Sequence, residues 1–264
     1  MRISGMKTIV MKFGGAAVAT PEQFAKIAEI ILKRSTQYER IAVVVSAMGG
    51  VTDQLISLSK RVNENPPKRE QDMLISVGER ISISLLAMAM ALQGKEAISF
   101  TGSQSGIITC CLHADARIID VRPVRLLRHL DAGKVVVVAG FQGVSREGEI
   151  PTLGRGGSDT TAVALGVALR ADKVEFYKDV GGICAEDPKK HPDSPVFPLL
   201  TYGEALEIVQ RGAKVLHPRC ILLAEKNHLP LHVRSFKDGE ETGGTVIGSS
   251  SCRLDGSCQY EQEV

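Results

Sequence analysis

The chain has 264 residues, 44% of them hydrophobic, and a formal net charge of +2. That length buries one large core or two lobes, and its interspersed acids and bases lack the concentrated basic face of a nucleic-acid binder. Six cysteines without a CxxC pair, and histidines far from zinc-like spacing, argue against a metal site built from them; scattered free thiols fit a reducing cytoplasm.

The opening residues, MRISGMKTIVMKFGG, hold too short an apolar run for a signal peptide. Residues 7–13 (KTIVMKF) read as a strand. Residues 21–34 read as a helix with Thr20 as N-cap, Pro21 at the first position and Phe24, Ile27, Ile30 and Ile31 on one face. Residues 40–46 (RIAVVVS) read as a buried strand and 52–62 as a helix; NENPPK at 63–68 is a loop by its prolines. A long helix is expected from about Glu70 to Gln93. Its apolar stretch 83–92 is about half a membrane span, which indicates a buried helix. Residues 134–139 (KVVVVA) form a strand between Gly133 and Gly140, and 143–150 a hairpin tip. A helix over 157–169 leads to a strand at 173–178 (KVEFYK), helices at 202–211 and 218–227, and a last strand at 231–233. This alternation predicts an α/β protein with a mainly parallel sheet, and runs such as VVVV imply a sheet covered on both faces. Residues 248–264 read as a flexible tail or a boundary.

Four stretches carry chemistry, each in a loop where an open α/β sheet places its ligands. Lys12-Phe13-Gly14-Gly15 follows the first strand; paired glycines admit an anion to backbone N–H groups, and the lysine adds charge. A plain Gly–Gly turn with a solvated lysine reads equally well. In Ser46-Ala47-Met48-Gly49-Gly50-Val51-Thr52-Asp53, Thr52 or Asp53 could simply cap a helix. In LGRGGSDTTA, residues 153–162, glycines leave the Arg155 fork unobstructed for a carboxylate. Ser158 or Asp159 could cap the helix there, whose N-terminus also attracts anions, and Asp159 makes sense if it orients a lysine. The fourth, Tyr177-Lys178-Asp179-Val180-Gly181-Gly182, with the lysine-rich loop after it, could hold phosphates and sugar, and Lys214 lies between two helices in GAKVLHP. His217 before Pro218 reads as structural.

Together KFGG at 12–15, VVVSAMGGVTD at 43–53, VGERIS at 77–82, FQG at 141–143, LGRGGSDTTA, DVGGICAEDPK at 179–189 and GAKVLHP at 212–218 resemble aspartate kinase in order and spacing. The resemblance runs from about Lys7 to Gly248. It implies the amino-acid kinase fold, a three-layer αβα sandwich, within a catalytic domain over residues 1–248 whose N-terminal part binds the amino acid and whose C-terminal part binds ATP with Mg2+. It implies that Lys12 neutralises the transferring phosphoryl group and that Asp159 orients the catalytic lysine. Ser46, Thr52, Glu79, Arg155 and Ser158 would hold L-aspartate, with Glu79 on its ammonium and Arg155 on its α-carboxylate. Gly14, Gly15, Lys178, Asp179, Lys189 and Lys214 would serve the nucleotide. The implied product, 4-phospho-L-aspartate, begins lysine, threonine, methionine and diaminopimelate synthesis. A cytoplasmic enzyme, free of nucleic acid and membrane and dimeric through its kinase domain, is the matching expectation.

Two departures stand out. The family commonly reads KFGGTS, whereas Ala16 and Ala17 follow the glycines here; the loss of two hydroxyls near the phosphate path implies slower turnover unless backbone N–H groups suffice. Cys184 stands where tyrosine is common, which would loosen nucleotide binding. The family's two C-terminal ACT regulatory domains have no counterpart in these residues, so feedback inhibition by lysine or threonine is not expected. A kinase for another amino acid such as glutamate, and a non-catalytic nucleotide- or amino-acid-binding regulator, are the competing readings.

Overall fold

The computed structural model describes residues 6–185, 194–237, 243–248 and 257–262. In chain order, β1 (Thr8–Phe13), α1 (Gln23–Arg34) and β2 (Arg40–Val45) precede three helices, α2 (Val51–Val62), α3 (Lys68–Ile75) and α4 (Val77–Leu92). Next come β3 (Ala97–Phe100), β4 (Ile107–Thr109), β5 (Ile118–Val121), α5 (Val124–Asp131), β6 (Val135–Ala139) and β7 (Val144–Ser145). Then follow α6 (Gly157–Ala168), β8 (Lys173–Lys178), β9 (Leu199–Leu200), α7 (Tyr202–Gln210), α8 (Pro218–Lys226), β10 (Leu231–Ser235) and β11 (Thr245–Ile247).

The main sheet runs β3-β6-β2-β1-β8-β10-β11-β9. Its strands from β3 to β10 are parallel, and β11 turns antiparallel to β10. Strand pleating sends alternate residues to opposite faces. Ile9, Met11 and Phe13 of β1 join Phe24, Ile27 and Ile31 of α1 and Leu86 and Met90 of α4 in one core. Val10 faces the other way, into a second core with α5, α6, α7 and α8. Helices thus cover both faces, giving the expected three layers. A small sheet, β5-β4-β7, stands apart.

Several local expectations are corrected. Thr20 does not cap α1: the N-cap position is Glu22, without a side-chain bond, and Gln23 Oε1 instead accepts from the Ala19 and Thr20 amides. The long helix is broken at Ser76, whose carbonyl receives Gln142 Nε2 at 2.8 Å rather than serving the helix ladder alone. The whole run Lys68–Leu92 is 25 residues, long and apolar enough by composition to cross a membrane. It is nonetheless a core helix on one side: Ile83, Leu86 and Met90 are buried against α1 and the sheet. The tip at 143–150 is a turn closed by Ser145 N–H to Glu149 O, with Gly148 at φ 87°. Beyond the expected elements, β3, β4, β5, α5, β7, β9 and β11 also form; most are too short for periodicity to register. Residues 257–262, read from the sequence as tail, pack on β5 and α8 through Glu261 and Gln259.

Candidate active site

Parallel strands align their carboxyl ends. The Ser46 amide bonds the Phe13 carbonyl at 3.1 Å and the Gly140 amide bonds the Val45 carbonyl at 3.0 Å, so the loops after β1, β2 and β6 meet at one edge. A cavity of about 660 Å³ opens there. It brings together Lys12, Gly15, Ser46, Thr52, Glu79, Arg155, Ser158 and Asp159 from the sequence-predicted set.

Lys12 lies on the β1 face opposite Met11 and Phe13, the face that α6 covers. Its Nζ meets Asp159 Oδ1 of α6 at 2.6 Å, and both side chains are less than a tenth exposed. β8 pairs in register with β1, Phe176 beside Lys12, so Lys178 emerges two residues further along the same face. Its Nζ lies 3.1 Å from Asp159 Oδ2. One buried carboxylate therefore bridges two ammonium groups. Burial opposes its ionisation, but the two lysines outweigh that and hold Asp159 at about 2. Burial pushes the Lys12 ammonium below its ordinary range, with Asp159 acting against the shift. Gly14 lies beside this lysine, with space for a Cβ only 3.4 Å from Nζ.

Asp159 and Ser158 are free for this because they do not cap α6. Gly156 is the N-cap, at φ 71°, and makes no side-chain cap bond. The same holds at α2, where Gly50 at φ 78° is the N-cap and leaves Thr52 facing the cavity. Gly156 is also required by space: a Cβ there would sit 2.2 Å from the His217 side chain. His217 itself caps α8, its Nδ1 accepting from Arg219 N–H at 3.3 Å. Burial and the nearby Arg219 charge push its pKa down, favouring the neutral acceptor this bond needs. The structural reading of His217 stands.

Glu79 enters from α4. Gly78 before it lets the helix start approach the loop after β2, where a Cβ would lie 2.7 Å from that of Ala47. Glu79 Oε1 accepts from the Ala47 amide at 3.0 Å, while Oε2, also buried, has no hydrogen-bond partner. Burial raises this carboxyl to about 7, against the opposing pull of the Ala47 N–H and Lys12. Leaving a buried carboxyl oxygen without a hydrogen-bond partner is costly, and Glu79 also lines the cavity. Arg155 is exposed at the opposite loop, between Gly154 at φ 69° and Gly156.

Asp179 and Lys214 are exposed and do not line this cavity; Lys189 lies outside the described residues. Cys184 is half-buried and pairs its backbone with Val196. Ala17 is 1% exposed and packs into the core beneath α1, so of the two alanines only Ala16 faces outward. Among the described residues no group of three His, Cys, Asp or Glu side chains is placed to hold a metal ion.

Sequence reasoning missed Asp72. It is fully buried and ties the cavity wall together, accepting from Thr152 N–H at 3.1 Å, Thr152 Oγ1 at 2.6 Å and Ala114 N–H at 3.0 Å, with His113 Nδ1 at 2.7 Å. The signal was available: Asp72, Ile75, Glu79 and Ile83 recur at helical spacing on one buried stripe.

A family model described as "Amino acid kinase family" matches residues 7–235. The aspartokinase of Mycobacterium tuberculosis (strain ATCC 25618 / H37Rv) is 48% identical over 245 residues, covering 92% of this chain and 58% of that protein. The crystal structure of aspartate kinase from Synechocystis superposes with a TM-score of 0.80 at 45% identity, over 93% of this chain and 40% of that one. Aspartokinase III of E. coli, in complex with aspartate and ADP, superposes at 0.84 with 26% identity, over 93% of this chain and 65% of that one. The chain spans a little over half the length of such curated relatives. With this match and the cavity at the strand ends, the chain belongs to the amino acid kinase family.

Proposed function

We propose that this chain is an ATP-dependent kinase that phosphorylates the β-carboxylate of L-aspartate to give 4-phospho-L-aspartate. The observation that carries the reading is the cavity itself: the buried Lys12–Asp159 pair, backed by the partly buried Lys178, opens onto the same space as the unpartnered Glu79 Oε2. The aspartokinase names of the relatives, and the aspartate and ADP held by the E. coli protein, support the substrate pair.

In this reading the N-terminal part holds the amino acid and the C-terminal part the nucleotide. Glu79 Oε2 takes the substrate ammonium and Arg155 its α-carboxylate, with Ser46, Thr52 and Ser158 fixing its orientation. A β-carboxylate with pKa near 4 is ionised at neutral pH, so the attack requires no general base. One of its oxygens bonds the γ-phosphorus while the bond from that phosphorus to the β,γ-bridging oxygen breaks; ADP leaves with the electron pair. The obstacle is bringing one anion to another. Lys12 meets the transferring group, Lys178 stands behind it, and Asp159 holds both ammonium groups in place before substrate arrives. The Gly14-Gly15 turn offers backbone N–H groups, and Lys178, Asp179, Lys189 and Lys214 serve the nucleotide. Mg2+ would arrive with the ATP phosphates beside Lys12 and Lys178 and would supply further neutralisation of their charge.

The test is ATP turnover with L-aspartate, L-glutamate or no amino acid, with hydroxylamine to trap an acyl phosphate. Aspartate-dependent hydroxamate is the expected result. Turnover with glutamate alone, or nucleotide binding without turnover, overturns the reading.

A further inference from the structure

The Arg155 loop is held from behind by residues far away in sequence. Arg219, second in α8, donates Nη1 to the Leu153 carbonyl at 2.5 Å and Nη2 to the Ala116 carbonyl at 2.9 Å. The other edge of its fork belongs to Glu261: Nε meets Oε1 at 2.8 Å and Nη2 meets Oε2 at 2.9 Å. Both side chains are mostly buried, 13% and 14% exposed. Glu261 is itself fastened. Its Oε2 accepts from Ile118 N–H at 2.9 Å and its own N–H bonds the Ile118 carbonyl at 3.0 Å. Two residues earlier, Gln259 exchanges a pair of 2.8 Å bonds with the Asn227 amide at the end of α8.

We propose that residues 257–262 are a positioning clamp for the substrate arginine, with Glu261 acting through Arg219 on the backbone that presents Arg155. The guanidinium works as a two-sided plate. One edge binds a carboxylate bidentately, the other binds two carbonyls, and the planar fork fixes their relative position. Leu153 lies two residues before Arg155, and Gly154 and Gly156 between and after them carry no side chains to fix the backbone. The aim of Arg155 therefore depends on where Leu153 is held. Removing Glu261 leaves the mostly buried guanidinium with two carbonyls and the long 3.4 Å contact from Nη1 to the exposed Asp115 carboxylate, so the fork loses the bidentate partner that fixes its plane. A small displacement of a substrate-positioning group is costly to turnover, up to about a hundredfold for 1 Å. The inference rests on the aspartate reading of the site and adds residues that never touch substrate.

The experiment compares wild type, Glu261→Ala, Glu261→Gln and Arg219→Lys in the full chain. Steady-state KM values for aspartate and for ATP are measured well below the melting temperature, alongside hydrogen exchange at the 152, 153 and 157 amides. The expected result is an aspartate KM raised about tenfold in Glu261→Ala, with ATP KM changed less than about twofold. Glu261→Gln, which keeps an acceptor for Ile118 N–H and for the fork, recovers part of the loss. Exchange at the three amides accelerates in Glu261→Ala. A lowered melting temperature with both KM values unchanged, or both KM values rising together, overturns the clamp. If Glu261→Ala does not fold, Glu261→Gln and Arg219→Lys carry the same comparison. If the wild type shows no aspartate turnover, the functional reading falls, and amide exchange alone decides the clamp: unaltered protection in the variants refutes it.

Discussion

Glu79→Gln separates the cost of the amino-acid receptor from its use. The Glu79 carboxyl is 3% exposed, and burial raises its pKa from 4.5 to about 7. The folded protein therefore binds this proton more tightly than the unfolded chain does. Between pH 4.5 and pH 7 the folded state holds more protons, so Glu79 erodes stability as pH rises through that window. At about 1.4 kcal/mol per pH unit, the full penalty above pH 7 is about 3 kcal/mol. Glutamine keeps an oxygen for the Ala47 amide but carries no charge to desolvate. Its own unpartnered amide costs a term that does not vary with pH. The stability difference between Glu79→Gln and wild type should therefore grow by about 2 kcal/mol in favour of glutamine from pH 5 to pH 8. Urea unfolding of both proteins at several pH values measures this. In parallel, calorimetric aspartate affinity of wild type should fall about tenfold at pH 6 from its alkaline plateau, because the ammonium must find an ionised partner. Two stability curves that run parallel across pH 5–8 would refute the reasoning.

Lys12→Ala should lower kcat by about a hundredfold or more while shifting aspartate KM only modestly, since its charge acts on the group in transfer; an unchanged kcat removes Lys12 from the transfer step. Arg155→Ala should raise aspartate KM strongly and leave ATP affinity near wild type, checked by separate titrations of the two substrates; loss of ATP binding alone would mean the two sites are assigned the wrong way round. Gly156→Ala places a methyl within the His217 side chain at a left-handed φ, and should cost at least about 2 kcal/mol in thermal unfolding; an unaltered melting temperature would show that His217 does not pack as described.

Some of this protein was decided locally. The apolar runs at β1, β2 and β6 require a covered parallel sheet, and the glycine pairs in the loops after β1 and β2 mark where backbone can approach an anion. The ordered motifs carried Lys12, Glu79, Arg155 and Asp159 as candidates before any geometry. What the sequence could not decide was partnership. Ser158 and Asp159 look like helix caps until Gly156 is seen to occupy that position, and Lys178 joins Lys12 only because β8 lies beside β1 in register. Asp72 and Arg219 lie outside every motif the sequence offered, and Glu261 falls in the stretch read as a tail. Each became structural when folding brought it to backbone groups 80, 66 and 143 residues away. Local patterns follow from steric preference and periodicity, which act over a few residues; the pairing of buried charges depends on which strands and helices pack side by side, which only the tertiary fold determines.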